Sequence, residues 1–239
     1  MERAHRQELV KNPDHLEIEI RELMGISFLK KGDFHSALSC FYDSLELADK
    51  VEYDEGIADA CLNIGTCYRF MNDFLRSLDF YKRALILARQ RDFRQTLGKS
   101  LIYIARVYYF QKKYEQSMEY FSEALKVFKD ADDKPNLGMT LMSIGNIHRK
   151  TQSKERARSN YLQAVEVLET VEDDYYIGLC FANLGLLALR DGKKNHAVDF
   201  FKKSFARLAP ANAPGEIMIF KQHLRDEYGM DFDTLLPKT

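Results

Sequence analysis

The sequence predicts an all-α solenoid of about five helix-turn-helix repeats with a helix at each end. Three observations carry that reading. Gly25, Gly65, Gly145 and Gly185 are separated by 40, 80 and 40 residues, and Ala105 fills the missing step. Aromatics keep the same stride at Phe41, Tyr81, Phe121, Tyr161 and Phe201, as do small residues at Ala37, Ser77, Ser117, Ala157 and Ala197. Between these marks apolar residues recur at three- and four-residue steps, as in Leu78, Tyr81, Leu85 and Ala88, the period of a helix with one buried face. Self-similarity of this kind marks stacked units that share a continuous core.

The elements follow in order. Residues 1–16 read as an N-terminal cap or a truncated repeat helix, because residues 1–10 fall 40 before the second half of a second helix. Five repeats then span about 17–56, 57–96, 97–136, 137–176 and 177–210. In the second, residues 57–71 form a first helix and 74–90 a second. Short polar turns such as "KKGDF" and "MNDF" close each pair, and longer polar links such as "KVEYDEG" and "KDADDKPN" join one pair to the next. The small residues have a physical cause. Where two helices cross closely, only Gly, Ala or Ser lets the backbones approach, and an aromatic from the partner helix fills the space beside them. Residues 215–228 form a C-terminal capping helix in which Ile217 matches Ile177 and Leu224 matches Leu184, while Arg225 replaces the small residue. Residues 229–239 remain as a tail.

Composition narrows the function. The 239 residues hold 35 Lys plus Arg against 36 Asp plus Glu, so bulk charge favours neither nucleic acid nor a membrane surface as partner. No apolar run approaches the ~18 residues of a membrane-spanning helix, and "MERAHRQELVKNPDHLE" lacks the apolar core of a secretory signal. The expected location is cytoplasmic. Cys40, Cys61, Cys67 and Cys180 form no CxxC pair. Cys61 and Cys67 sit six residues apart, so on one helix they point about 120° apart and cannot share a metal. In the 40-residue register Cys61 takes the place of Leu101, Leu141 and Phe181, which makes it a core residue. The histidines form no HxxxH or HExxH pair, and phosphate-loop, nucleophile-elbow and dinucleotide motifs are absent from the sequence. The expectation is therefore no enzyme, no metal and no cofactor.

The motif order resembles the tetratricopeptide repeat: a large apolar residue, "LG" or "IG", an aromatic, a small residue, an aromatic, then Ala. In the second unit these are Cys61, Ile64–Gly65, Tyr68, Ser77, Tyr81 and Ala84. The period of 40 is longer than that family's usual ~34, and the proline near the end of each second helix is missing. The chain is similar in this to spindle-orientation adaptors of the Pins type and to bacterial peptide-responsive regulators. HEAT repeats share the period but not the small/aromatic order.

The resemblance implies a right-handed superhelix whose first helices line a concave groove. Carried onto this chain, the groove residues are Asn63, Arg69, Phe70, Lys99, Tyr103, Arg106, Tyr109, Asn146, Arg149, Lys150, Asn183 and Arg190, with Glu19, Glu22, Ile26 and Lys30 in the first unit. Asn can bond both sides of a peptide backbone and Arg pairs with carboxylates. A non-catalytic scaffold for an extended or helical protein segment with acidic residues is expected. The alternatives are the sensory region of a signalling protein, a receptor for a short peptide, or a self-assembling module whose "IMIF" at 217–220 offers a homodimer contact.

Overall fold

The computed structural model describes residues 12–211 and 214–229, and among these all regular structure is α-helical. The helices are α1 (Pro13–Lys30), α2 (Phe34–Lys50), α3 (Asp54–Phe70), α4 (Phe74–Arg91), α5 (Arg94–Phe110), α6 (Tyr114–Asp130), α7 (Lys134–Lys150), α8 (Lys154–Glu169), α9 (Asp174–Arg190), α10 (Lys194–Leu208) and α11 (Pro214–Tyr228). The chain forms two compact units, residues 1–127 and 128–239. In the first, α1 packs on α2 and α3 on α4, and α2–α3 and α4–α5 contacts join the pairs. In the second, α7 packs on α8 and α9 on α10, α8 meets α9, and α11 rests on α10.

Residues 1–11 of the expected N-terminal cap lie outside the described residues. From Pro13 the chain is already in α1, which starts before the expected repeat boundary because Asn12 caps it. The Asn12 side chain accepts from the Asp14 backbone N–H, and proline at the first helical position has no amide to leave unsatisfied. Beyond Gly229 the expected tail is likewise outside the described residues.

One expectation is corrected. Links between pairs are no longer than turns within pairs: helices begin at Phe34, Asp54, Phe74, Arg94, Tyr114, Lys134, Lys154, Asp174, Lys194 and Pro214, one every 20 residues. The polar residues that read as long links, Asp54 and Glu55 or Lys134 and Pro135, already form the first turns of α3 and α7. Acidic side chains and proline are favoured there. Each junction also closes in the same way. A left-handed residue ends the helix at Gly32, Glu52, Asn72, Asp92, Lys112, Asp132, Gln152, Glu172 and Gly192. The next backbone N–H then reaches back five residues, as in Asp73 to Tyr68 (2.9 Å) and Lys113 to Tyr108 (2.9 Å). This is the Schellman closure of a helix end. Only two of these nine positions carry glycine, the residue for which the conformation costs nothing.

The crossings behave as the stride implies. A Cβ added at Gly65 would stand 2.6 Å from a ring carbon of Tyr81, and one at Gly145 would stand 2.7 Å from Tyr161. Both rings are fully buried. At the third crossing Ala105 is tolerated, and its carbonyl accepts from the Ser117 hydroxyl (2.7 Å). Cys61, Cys67 and Cys180 are buried core residues, and Cys40 is partly buried. On α1, Leu16, Ile20, Leu23 and Met24 are exposed, whereas Ala60, Ser100, Thr140 and Cys180, which stand at the place of Ile20, are buried.

Two outcomes follow from these constraints. Gly65→Val, which drives two methyl groups into Tyr81, is expected to lower stability by at least about 2 kcal/mol; equal urea midpoints would show that the crossing has room. Lys112→Gly is expected to raise stability by about 1 kcal/mol, because it relieves a left-handed non-glycine residue. A fall in the urea midpoint would contradict the strain at that junction.

Candidate functional site

Within each unit the first helices of successive pairs approach one another, α1 to α3 and α3 to α5 in the first and α7 to α9 in the second. The second helices, α2 and α4 or α8 and α10, stand further apart. The closer layer is the inner side of the curve, so the face of the first helices is the natural receptor surface in each unit.

In the first unit that face carries Asn63, Thr66, Arg69, Tyr103, Arg106 and Tyr109 half-buried, and Phe70, Lys99 and Phe110 exposed. In the second, Asn146, Arg149 and Asn183 are half-buried, while Lys150 and Arg190 are exposed. These side chains divide into two kinds. Some serve the core. The buried Tyr81 hydroxyl lies 3.0 Å from the Thr66 hydroxyl, and the buried Tyr161 hydroxyl donates to Asn146 Oδ1 (2.8 Å). Where the crossing aromatic is Phe41 or Phe201, which has no hydroxyl to satisfy, the corresponding neighbour is Ile26 or Leu186. Asn183 donates to its own helix at Leu179 (3.0 Å). A tyrosine at the crossing thus demands a polar residue 15 positions earlier, a pairing visible in the sequence once sought.

The other kind has no such duty. Arg106 stands opposite Phe121, which gives it no hydroxyl to bond, and it has no hydrogen bond or ion pair among the described residues. Lys150 and Arg190 are equally unpaired there. Arg149 holds a buried Nε with no acceptor. Off this face, five arginines are matched with carboxylates: Arg21 with Asp43, Arg89 with Glu123, Arg91 with Asp54, Arg158 with Asp191 and Arg207 with Asp174. Arg69 lies over the Phe70 ring at 4.1 Å and over Phe110 at 5.9 Å, and its charge counters in part the burial that raises the Tyr81 hydroxyl.

One region of the face is acidic. His15, Ile18, Glu19, Glu22, Tyr53, Glu55, Gly56 and Asp59 line a cleft of about 100 Å³ between α1 and α3, with His15 stacked on Tyr53 (4.2 Å). Burial raises the Asp59 carboxyl, and Lys99 draws it back in part. Burial, aided by Asp59, pushes Glu22 up to about 8, against a bond from the Ser44 hydroxyl that lowers it. The cause is legible in the register. Glu22 stands where Leu62, Ile102, Met142 and Ala182 are buried, so a carboxyl occupies an apolar place.

The thiols are not poised for chemistry: burial pushes Cys61 up to about 11 and Cys67 and Cys180 up to about 12. Among the described residues no group of three or more His, Cys, Asp or Glu side chains could hold a metal ion, and no helix is long and apolar enough to cross a membrane. On α11, Leu224 is buried and Ile217 half-buried, which leaves Met218 as the exposed side chain described within "IMIF".

The tetratricopeptide-repeat family model matches residues 12–90 and 96–170. The chain belongs to the tetratricopeptide-repeat family. No curated protein matches it in sequence. Its fold is similar to BtubC from P. vanneervenii, at 17% identity and a TM-score of 0.73 over 87% of this chain and 86% of that one. It is also similar to a Rap protein complexed with Competence and Sporulation Factor, at 14% identity and a TM-score of 0.77, covering 88% and 59% of the two chains. Aspartyl phosphate phosphatase F from Bacillus subtilis shares 16% identity with a TM-score of 0.72, over 91% of this chain and 56% of that one. These likenesses are of fold: a tetratricopeptide-type solenoid of consecutive helix pairs. A solenoid of this family is a protein-interaction scaffold.

The Glu22 carboxyl gives this tetratricopeptide protein a pH signature. Its folded pKa of about 8 lies above the ordinary 4.5, so across that window the folded chain holds a proton the unfolded chain has released. Stability is therefore greatest below the window, falls through it and levels off above. Glu22→Gln is expected to match the wild type near pH 5 and to melt at least about 3 °C higher at pH 8.5. Parallel melting profiles for the two proteins would assign the proton elsewhere.

Proposed function

We propose that the chain is a non-catalytic scaffold that recognises an extended or helical protein segment carrying acidic residues on the inner face that the first helices present in each unit. One observation carries this reading: Arg106 on that face of the first unit, and Arg149, Lys150 and Arg190 on that of the second, have no carboxylate partner among the described residues, while Arg21, Arg89, Arg91, Arg158 and Arg207 away from it do. A buried guanidinium nitrogen without an acceptor costs free energy, and a partner's carboxylate would supply the acceptor. The preformed helices keep the ordering cost of binding low. The likeness to a phosphatase is one of fold, and the buried, high-pKa thiols supply no nucleophile.

A second reading, a receptor for a short regulatory peptide, draws support from a further fold neighbour, the Rap conjugation gene regulator of the plasmid pLS20 in complex with the Phr* peptide. It uses the same face and differs in the length of the ligand. Homodimerisation through α11 has less behind it, since Leu224 turns inward.

Arg106→Glu is expected to weaken binding of a fluorescein-labelled peptide pool rich in Asp and Glu at least tenfold, about 1.4 kcal/mol, with unchanged helical circular dichroism. Unchanged anisotropy titrations would remove Arg106 and this face from the assignment.

A further inference from the structure

The inner face of the first unit ends in a cluster of aromatic rings at the C-terminal ends of α3 and α5. Phe34 stacks on Phe70 with centroids 5.7 Å apart and planes 4° from parallel. Arg69 bridges toward Phe110, whose ring meets Tyr109 edge-on at 6.0 Å. Both rings keep much of their surface in solvent: Phe70 is 47% exposed and Phe110 53%.

Packing does not demand an aromatic at this place. The corresponding residues in the other repeats are Lys30, Lys150 and Arg190. The two phenylalanines therefore leave apolar surface exposed where the fold accepts a charge. Their arrangement also prepares Arg69. Rings cover a face of its guanidinium, which restricts its rotation and leaves in-plane N–H donors at the edge. Two of the acidic residues at this end of the unit are already engaged. Asp33 accepts from the Ser36 backbone N–H (3.1 Å) and Asp73 from Arg76 (3.1 Å), each capping a helix. Lys30, Lys31, Lys112 and Lys113 add to the positive charge of the same helix ends.

We infer that Phe70 and Phe110 form a ledge that seats a large apolar side chain of the partner, immediately beside a carboxylate taken by Arg69. This rests on the acidic-partner reading above and narrows it to a segment in which Asp or Glu adjoins Phe, Tyr, Trp or Leu. Aromatic side chains and arginine together are the usual anchors of protein interfaces. Here the ring surface supplies the apolar contact and the guanidinium edge sets its register.

A random 12-mer display library selected on the full chain tests this. On the wild type, enriched sequences are expected to place a large apolar residue within two positions of Asp or Glu. On the Phe70→Lys/Phe110→Lys double variant, whose side chains the other repeats already show to be compatible with the fold, the apolar preference is expected to vanish while the acidic one persists. A fluorescein-labelled peptide from the wild-type selection should bind this variant at least tenfold more weakly, with melting temperature preserved. Arg69→Gln should remove the fixed spacing between the acid and the apolar residue. Acidic enrichment with no apolar neighbour would overturn the ledge and leave the groove reading standing. Basic enrichment, which would direct attention to the Glu19–Glu22–Asp59 cleft, or no enrichment, would overturn both.

Discussion

The structure depends on one constraint, the contact between a missing side chain and a buried ring. At Gly65 and Gly145 there is no room for a Cβ beside Tyr81 and Tyr161. That close approach lets each pair of helices share one dense interface instead of two loose ones. Everything else in the repeat is arranged around it. The ring must come from the second helix, the small residue from the first, and the turn between them must return the chain at a fixed height. Ala105 shows the tolerance of the device: one methyl is accepted at one crossing of the stack.

The turn supplies that fixed height by backbone geometry more than by side-chain chemistry. All nine described junctions place a residue in the left-handed region, although residues as different as Lys112, Glu172 and Gly192 occupy it. Helix N-caps are similarly uneven: Asp33, Asp73, Asp133 and Asp173 accept backbone bonds, while Tyr53 and Phe93 cap nothing with their side chains. The energy that imposes the 20-residue rhythm comes from stacking, which overrides local preference at most junctions. That is why the polar links looked longer in the sequence than they are.

The same crossing shapes the binding face. A tyrosine in the crossing brings its hydroxyl to the inner surface and engages Thr66 or Asn146; a phenylalanine leaves its neighbour free. Arg106, opposite Phe121, is a cation freed in this way. The inner face is thus a product of the core. Its free cations lie where the core needs nothing, and its acidic cleft lies where Glu22 replaces an apolar residue that the core would otherwise bury. Bulk charge near zero conceals this segregation, since the acidic and basic regions cancel in the sum.

The sequence by itself determined the repeat, the helix pairing, the crossing residues and the core role of Cys61 and Cys67, because a strict stride makes equivalent positions readable without knowing their contacts. It also pointed to the face of the first helices, from the family resemblance. Only the tertiary structure decided which residues of that face are free. Asn146 and Asn183 looked like peptide-binding amides, yet each already bonds within the fold; Arg69 looked like a bare cation, yet it lies against two rings. The physical reason is that side-chain pairing depends on distances between helices far apart in the chain. A stride reports which positions are equivalent, and the packed structure alone reports what each of them touches.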